Sequence, residues 1–491
     1  MEMQFQKNTV GYLKTVLHQS QKQEQTQQIR LSDTMPDIGR VLGCWGQILV
    51  RGKEWHGDSV GVTGGVMAWV LYAPEGEGQL CCVDTWIPFQ MKWDMEDVQQ
   101  DGVMEISSLL CHMDARMVSD RKMVVRANIG VQMHGMVMAE AALYTPAEVP
   151  SDLQVLQHTY PMLLPAEAGE KTFEITQALE LSAGEKLHKL IRYSAQPVLT
   201  EYKIVADKLV LRGNAEIYAL YMDEAGKLHS QRWQVPFSQY TQLDGEYAPG
   251  TEAAVSFELT QLEMELTNPE QPELKLGFTA QYRIQPLREI TVTEDMYSPV
   301  REVSFVGEPL LLPAVLHKKE QTVAVEGALP EGSVLDVALE MELPQILRSG
   351  DETRTELDGA FQVLYEDENG DLQTMTQRWQ KTLTDTVGEE AAYFVAVQPC
   401  PIPAAEAALG AELKLEGSSV AGEPIRQIRD AQLGDPLPQD PKRPSLILRR
   451  VEEDSLWQLA KSSGSTVEAI RKANGLEQEP MPGQLLLIPV S

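Results

Sequence analysis

Three stretches of this chain repeat one pattern at intervals too long for a solenoid, and this constrains the fold more than any other feature. They are "GGVMAWVLYAPEGEGQLCCVDTWIPF" (64–89), "GNAEIYALYMDEAGKLHSQRWQVPF" (213–237) and "GAFQVLYEDENGDLQTMTQRWQKTL" (359–383). Each has a hydrophobic strand ending in Leu-Tyr, an acidic glycine-bearing turn, and a second strand with a tryptophan (Trp86, Trp233, Trp379). The tyrosines Tyr72, Tyr221 and Tyr365 stand 149 and 144 residues apart, so the repeated unit is a whole domain. In "AEIYALY" the residues Ile217, Ala219 and Tyr221 alternate with Tyr218 and Leu220, and "ENGD" supplies residues that accept positive φ. Both are β-hairpin signals.

The second halves of the first two copies also agree: Tyr144-Thr145-Pro146 and Tyr297-Ser298-Pro299 each close a run of strand-like segments. Short segments rich in Val, Ile, Tyr and Thr, broken by Gly, Pro and Asp, favour sandwiches over helical bundles. The expected fold is mainly β. Three repeated β-sandwich-like domains cover 1–150 (with an N-terminal arm), 151–300 and 301–432; a linker over 433–445 and a small α+β module over 446–491 follow. "LHQSQKQEQTQQIRL" near the start reads as an exposed helix or a mobile arm, and "AQLGDPLPQDPKRPS" (431–445), with four prolines, reads as the linker.

The net charge of −31 excludes a general nucleic-acid coat and disfavours binding to bare anionic lipid by charge alone. The charge is uneven. Residues 446–491 carry five basic and six acidic side chains, a net of −1, so nearly all the acidity lies in the preceding body. Five cysteines without paired spacing (Cys44, Cys81, Cys82, Cys111, Cys400) point to a reducing compartment. The first twenty residues lack a signal-peptide pattern, and no apolar stretch approaches the roughly 18 residues that span a bilayer. A protein that stays inside the cell is expected.

The last module is legible residue by residue. "LILRRV" can form a strand, and Asp454 or Ser455 can cap a helix whose apolar face is Leu456, Trp457, Leu459 and Ala460. Gly464 stops that helix. Ser465 starts a second, with Glu468 completing a capping box, and Val467, Ile470 and Ala473 line its inner face. Asn474-Gly475 ends it, and "QLLLIPV" gives a second strand. This βααβ order, with "DSLWQLA", "TVEAI" and "NGL", resembles the LysM family. The resemblance implies a shallow groove that holds N-acetylglucosamine polymers such as peptidoglycan. It lies between a loop that here contains Glu453, Asp454, Ser455 and Leu456 and one that contains Asn474, Gly475 and Leu476. Trp457 beside it reads equally as packing or as surface recognition, and Asn474-Gly475 as helix termination first. Where the family commonly has a glycine, often preceded by proline, just before the acidic or polar residue of the first loop, this chain has Glu452-Glu453.

Three "LY…G…W" hairpins, two followed by Pro-Phe, and then one LysM resemble the SipL family of clostridial sporulation proteins, whose repeated domain is called SPOCS. The resemblance implies a spore-envelope assembly protein of the mother-cell cytoplasm, recruited to the forespore surface. Its LysM module would hold a protein partner, a spore coat morphogenetic ATPase.

Enzymatic motifs are missing. There is no phosphate loop, H-E-x-x-H or G-x-S-x-G, so neither an enzyme nor a cofactor is expected. "DENGD" (367–371) fits a hairpin turn better than a calcium loop, because Trp379 stands where the closing glutamate would be. Cys111, His112 and His134 lack metal-ligand spacing, so no metal is expected.

Overall fold

The computed structural model describes residues 2–490 except 77, 96–100, 183–185, 351, 387–391, 400–408, 421–423, 439–443 and 453. Apart from two short helices near the end, its regular structure is β. The strands fall into three sets that repeat one plan. In each, a meander forms one sheet. A second sheet takes the strand before the meander and a hairpin after it, with the hairpin's last strand in the middle.

In the first copy the meander is Ile38–His56, Ser59–Pro74 and Cys81–Asp94. The facing sheet is Phe5–Arg30, Lys122–Pro146 and Val103–Ser119, in that order. The second copy pairs Lys189–Met222 with Leu228–Tyr247, against a sheet of Glu167–Ala178, Glu273–Gln285 and Glu252–Glu265. The third has Ser333–Met341 and Gln345–Ser349 on one side of Glu352–Glu366 and Leu372–Thr386 on the other. Its facing sheet is Val315–Gly327, Leu409–Val420 and Ala392–Pro399.

The repeat is longer than the hairpin seen in the sequence. Before each central strand the chain turns back through a residue in the left-handed region: Gly57 (φ 54°), Ala206 (φ 55°) and Gly350 (φ 60°). The second of these turns folds Lys189–Met222 on itself, so that the Thr200 hydroxyl donates to the Arg212 carbonyl. A glycine on each central strand is then wedged between neighbours. A Cβ on Gly64 would lie 2.4 Å from the Leu49 carbonyl oxygen and 2.9 Å from the Phe89 ring. On Gly213 it would meet the Val198 oxygen at 2.2 Å and Phe237 at 2.5 Å; on Gly359, the Glu340 oxygen at 2.4 Å and Trp379 at 2.3 Å. Only glycine lets backbone and ring approach so closely. Trp379 thus does in the third copy what the phenylalanine of Pro-Phe does in the others.

Two expectations are corrected. The glutamine-rich stretch is neither helix nor arm; it lies in strand Phe5–Arg30, paired along its length with Lys122–Pro146. Its outer face is polar, and the partner strand supplies the buried Met123, Val125, Ala127, Ile129 and Val131. The proline-rich stretch begins as structure too. Strand Ile425–Pro436 pairs with Arg301–Leu310 and buries Ala431 and Leu433; residues 439–443 of the expected linker lie outside the described residues.

The copies pack on one another. Beyond the sandwiches, three strand pairs come together: the ends of Phe5–Arg30 and Lys122–Pro146; Gln154–Leu163 with Leu287–Tyr297, which continues the third copy's facing sheet through Leu163 beside Val315; and Arg301–Leu310 with Ile425–Pro436. They share a core containing Val10, Tyr12, Leu164, Ile290, Val292 and Leu310. A second shared cluster joins Leu42 and Trp45, Ile191 and Leu220, and Leu364 from the three copies. Polar side chains cover the edge strand Val103–Ser119 of the first copy, whose free amides would otherwise invite another strand. Gln281 of the second copy accepts from the Ile106 amide (2.9 Å) and donates to its carbonyl (2.8 Å). Glu258 accepts from the Ser108 amide (3.0 Å), and Glu340 of the third copy from the Met113 amide (2.9 Å) and His112 (2.8 Å).

Glu258 also lines a cavity of about 490 Å³ where the three copies meet. Burial lifts its carboxyl from the ordinary 4.5 to about 7, against the opposing pull of the Ser108 hydrogen bonds. The folded chain therefore holds a proton that the unfolded chain loses near pH 4.5. Stability from this group is complete below pH 4.5 and is lost as pH rises through about 7. Urea midpoints at pH 5.5 and pH 8 should differ less in Glu258→Gln than in the wild type. An unchanged difference would remove Glu258 as the cause.

Candidate functional site

The module at the end of the chain has the expected order. Strand Leu446–Arg450 pairs antiparallel with Leu485–Pro489, and between them lie α1 (Leu456–Ser463) and α2 (Val467–Asn474). Leu456, Leu459, Ala460, Ile470, Leu486 and Ile488 form its core. Ser455 caps α1: its hydroxyl accepts from the Gln458 amide and the Gln458 side chain accepts from the Ser455 amide, a complete capping box. Gly464 ends α1 at φ 61° and Gly475 ends α2 at φ 62°. The cap of α2 is corrected by one residue. Thr466, not Ser465, accepts from the Ala469 amide (3.1 Å), while Ser465 is fully buried and Glu468 takes no part in a capping box.

Several of the residues expected to form a groove are already engaged. Glu453 lies outside the described residues. Asp454 pairs with Arg449 at 3.1 Å. The Leu456 amide, at the start of α1, donates to Glu479 (3.1 Å), which reaches over from the loop after α2. A carboxylate from the loop after α2 thus sits at the N-terminus of α1, where the helix dipole favours it. Arg471 holds the other oxygen of Glu479 at 3.3 Å. Asn474 ties the end of α2 to the second strand: its amide group donates to the Ile470 carbonyl (2.8 Å) and its oxygen accepts from the Leu487 amide (2.8 Å). Leu476 packs on the module core.

Trp457 points elsewhere. Its indole nitrogen donates to Asp295 of the second copy at 2.8 Å, and Lys461, one turn on, grips the same carboxylate at 2.7 Å. The ring meets Tyr297 edge-on with centroids 4.8 Å apart. The Tyr297 hydroxyl donates to the buried Ser465 carbonyl (3.0 Å), and burial, reinforced by Asp295, pushes this phenol up to about 12. Tyr297 belongs to the module's own hydrophobic cluster. Nothing local in the sequence marks Asp295 or Tyr297 as docking residues; Tyr297 stands out there only as a repeat marker.

The module is therefore seated on the second copy through one carboxylate with two donors. Asp295→Ala should loosen that seat, raising amide hydrogen exchange in α1 several-fold while the sandwich cores stay protected. Unchanged exchange in α1 would show that the clamp does not hold the module.

No cluster of three or more potential metal-ligating side chains occurs among the described residues, and no described helix is long and apolar enough to cross a membrane. Residues 186–267, the meander of the second copy and its following edge strand, match the family model described as SipL, SPOCS domain, and residues 451–489 match that of the LysM domain. Both are non-catalytic binding families. No curated protein and no solved structure matches the chain. Fold and matches agree with the resemblance read from the sequence: the chain is mainly β, residues 186–267 are similar to a SipL SPOCS domain and residues 451–489 to a LysM domain, a combination that supports a sporulation envelope protein.

Proposed function

We propose that this chain is a non-enzymatic scaffold of spore-envelope assembly. Three SPOCS-like units (1–150, 151–300 and 301–432) form its body, and the LysM module holds a protein partner, the coat-basement morphogenetic ATPase. The chain helps that partner encase the forespore from the mother-cell cytoplasm. One observation carries the choice of protein over sugar: the groove amide of Leu456 is taken by Glu479, and the indole of Trp457 is committed to Asp295. A sugar needs such donors and ring faces free. The LysM family match supports the second reading, a N-acetylglucosamine polymer in the groove.

A fluorescent fusion followed through sporulation tests the proposal. Signal should gather at the forespore boundary and disperse when the ATPase is deleted. Signal on the wall of growing cells, independent of the ATPase, would contradict it.

A further inference from the structure

The two strands of the LysM module are apolar on both faces. Inward, Leu486 and Ile488 are fully buried and Ile447 packs beside them. Outward, Leu446, Leu448, Leu485 and Leu487 are 51, 63, 54 and 39% exposed. Antiparallel register puts Leu448 opposite Leu487, Leu485 opposite Arg450, and Leu446 opposite Pro489, so the four leucines share one surface with Arg450 at its end. Met481, in the turn leading into the second strand, is 76% exposed. A half-buried hairpin normally shows polar side chains to water. A contiguous leucine face marks an interaction site. It lies on the side of the sheet away from α1 and α2, so seating on Asp295 leaves it open.

Charge narrows the occupant. A second copy or an anionic membrane would have to face the body, which carries nearly all of the net charge of −31, whereas a short segment confined to the module, of net charge −1 over 446–491, would not. The exposed Arg450 instead suits a carboxylate. We infer that this leucine face is the docking surface of the LysM module, and that it takes a short amphipathic segment of a protein partner, apolar on one side and acidic beside Arg450. Because it is separate from the groove and from Trp457, the module can stay seated on the second copy while holding its partner. This rests on the protein-scaffold reading and names the surface that serves it.

The test uses the full chain, since Tyr297 of the second copy completes the module's core. Binding to the purified coat-basement ATPase is measured for wild type, Leu448→Glu, Leu487→Glu and Arg450→Glu, each first shown by circular dichroism and thermal melting to fold as wild type. Both leucine variants should bind at least tenfold more weakly, and Arg450→Glu should weaken binding and lessen its sensitivity to salt. If wild type binds and the leucine variants match it within twofold, the face is not the docking surface, although the scaffold reading stands. If wild type itself fails to bind, the scaffold reading falls and this inference with it. Two further arms address the other occupants. Flotation of wild type with phosphatidylglycerol–phosphatidylethanolamine vesicles, abolished by Leu448→Glu, would assign the face to lipid. A dimer in sedimentation velocity abolished by the same variant would assign it to a second copy. Either result overturns the inference.

Discussion

Asp336→Ala should destabilise the folded chain by about 3–5 kcal/mol, the usual result of stripping one partner from a buried ion pair. The Asp336 side chain is wholly inaccessible and that of Arg192 nearly so. The guanidinium grips the carboxylate with two hydrogen bonds, Nε to Oδ2 at 2.9 Å and a terminal nitrogen to Oδ1 at 2.6 Å. It lies 4.6 Å from the centre of the Tyr218 ring, whose hydroxyl donates to the same aspartate. The pair joins the second copy to the third, and without Asp336 a buried cation would lose its counter-charge and keep only neutral partners among the described residues, such as the Val337 carbonyl (3.2 Å). The double replacement Arg192→Met with Asp336→Leu removes both charges, and should cost much less than the single one. Urea unfolding of the three proteins checks this; a single variant within about 1 kcal/mol of wild type would show that the copies do not depend on the pair.

Gly213→Val should be of similar severity, costing about 3 kcal/mol or more, at the upper end for overpacking. The added Cβ would lie 2.2 Å from a backbone carbonyl in a sheet and 2.5 Å from the buried Phe237 ring. Neither can retreat without moving a strand. Gly11→Val is the matched control: it too lies in a strand, but nothing stands within 4 Å of its Cβ position, and its stability should stay within about 0.5 kcal/mol of wild type. Equal effects of the two substitutions would mean that the wedge shared by Gly64, Gly213 and Gly359 is not structural.

Much of this was legible because local chemistry decided it. Hairpin turns announce themselves through glycine and acidic residues, as at 367–371, where Gly370 has φ 82° and the Asp371 amide donates to the Asp367 side chain. The LysM core followed from helical periodicity and two glycine stops. What escaped depends on partners far along the chain. The glutamine-rich strand has no apolar alternation of its own and is a strand because Lys122–Pro146 lies beside it. The strand before each central strand was hidden because its turn uses glycine twice and alanine once. Asp295 lies more than 160 residues from Trp457, so nothing local could pair them. Ser465 and Thr466 are adjacent hydroxyls, and burial of the first decided which became the cap.

In the proposed reading the LysM module serves a protein and not a sugar chain. Its most direct test is to form the complex of the 491-residue chain with the purified ATPase and challenge it with excess N-acetylglucosamine pentamer and with insoluble peptidoglycan. The complex should persist in both, and the free chain should stay in the supernatant when peptidoglycan is spun down. Saturable sedimentation of the free chain with peptidoglycan, together with release of the ATPase by the pentamer, would contradict the account.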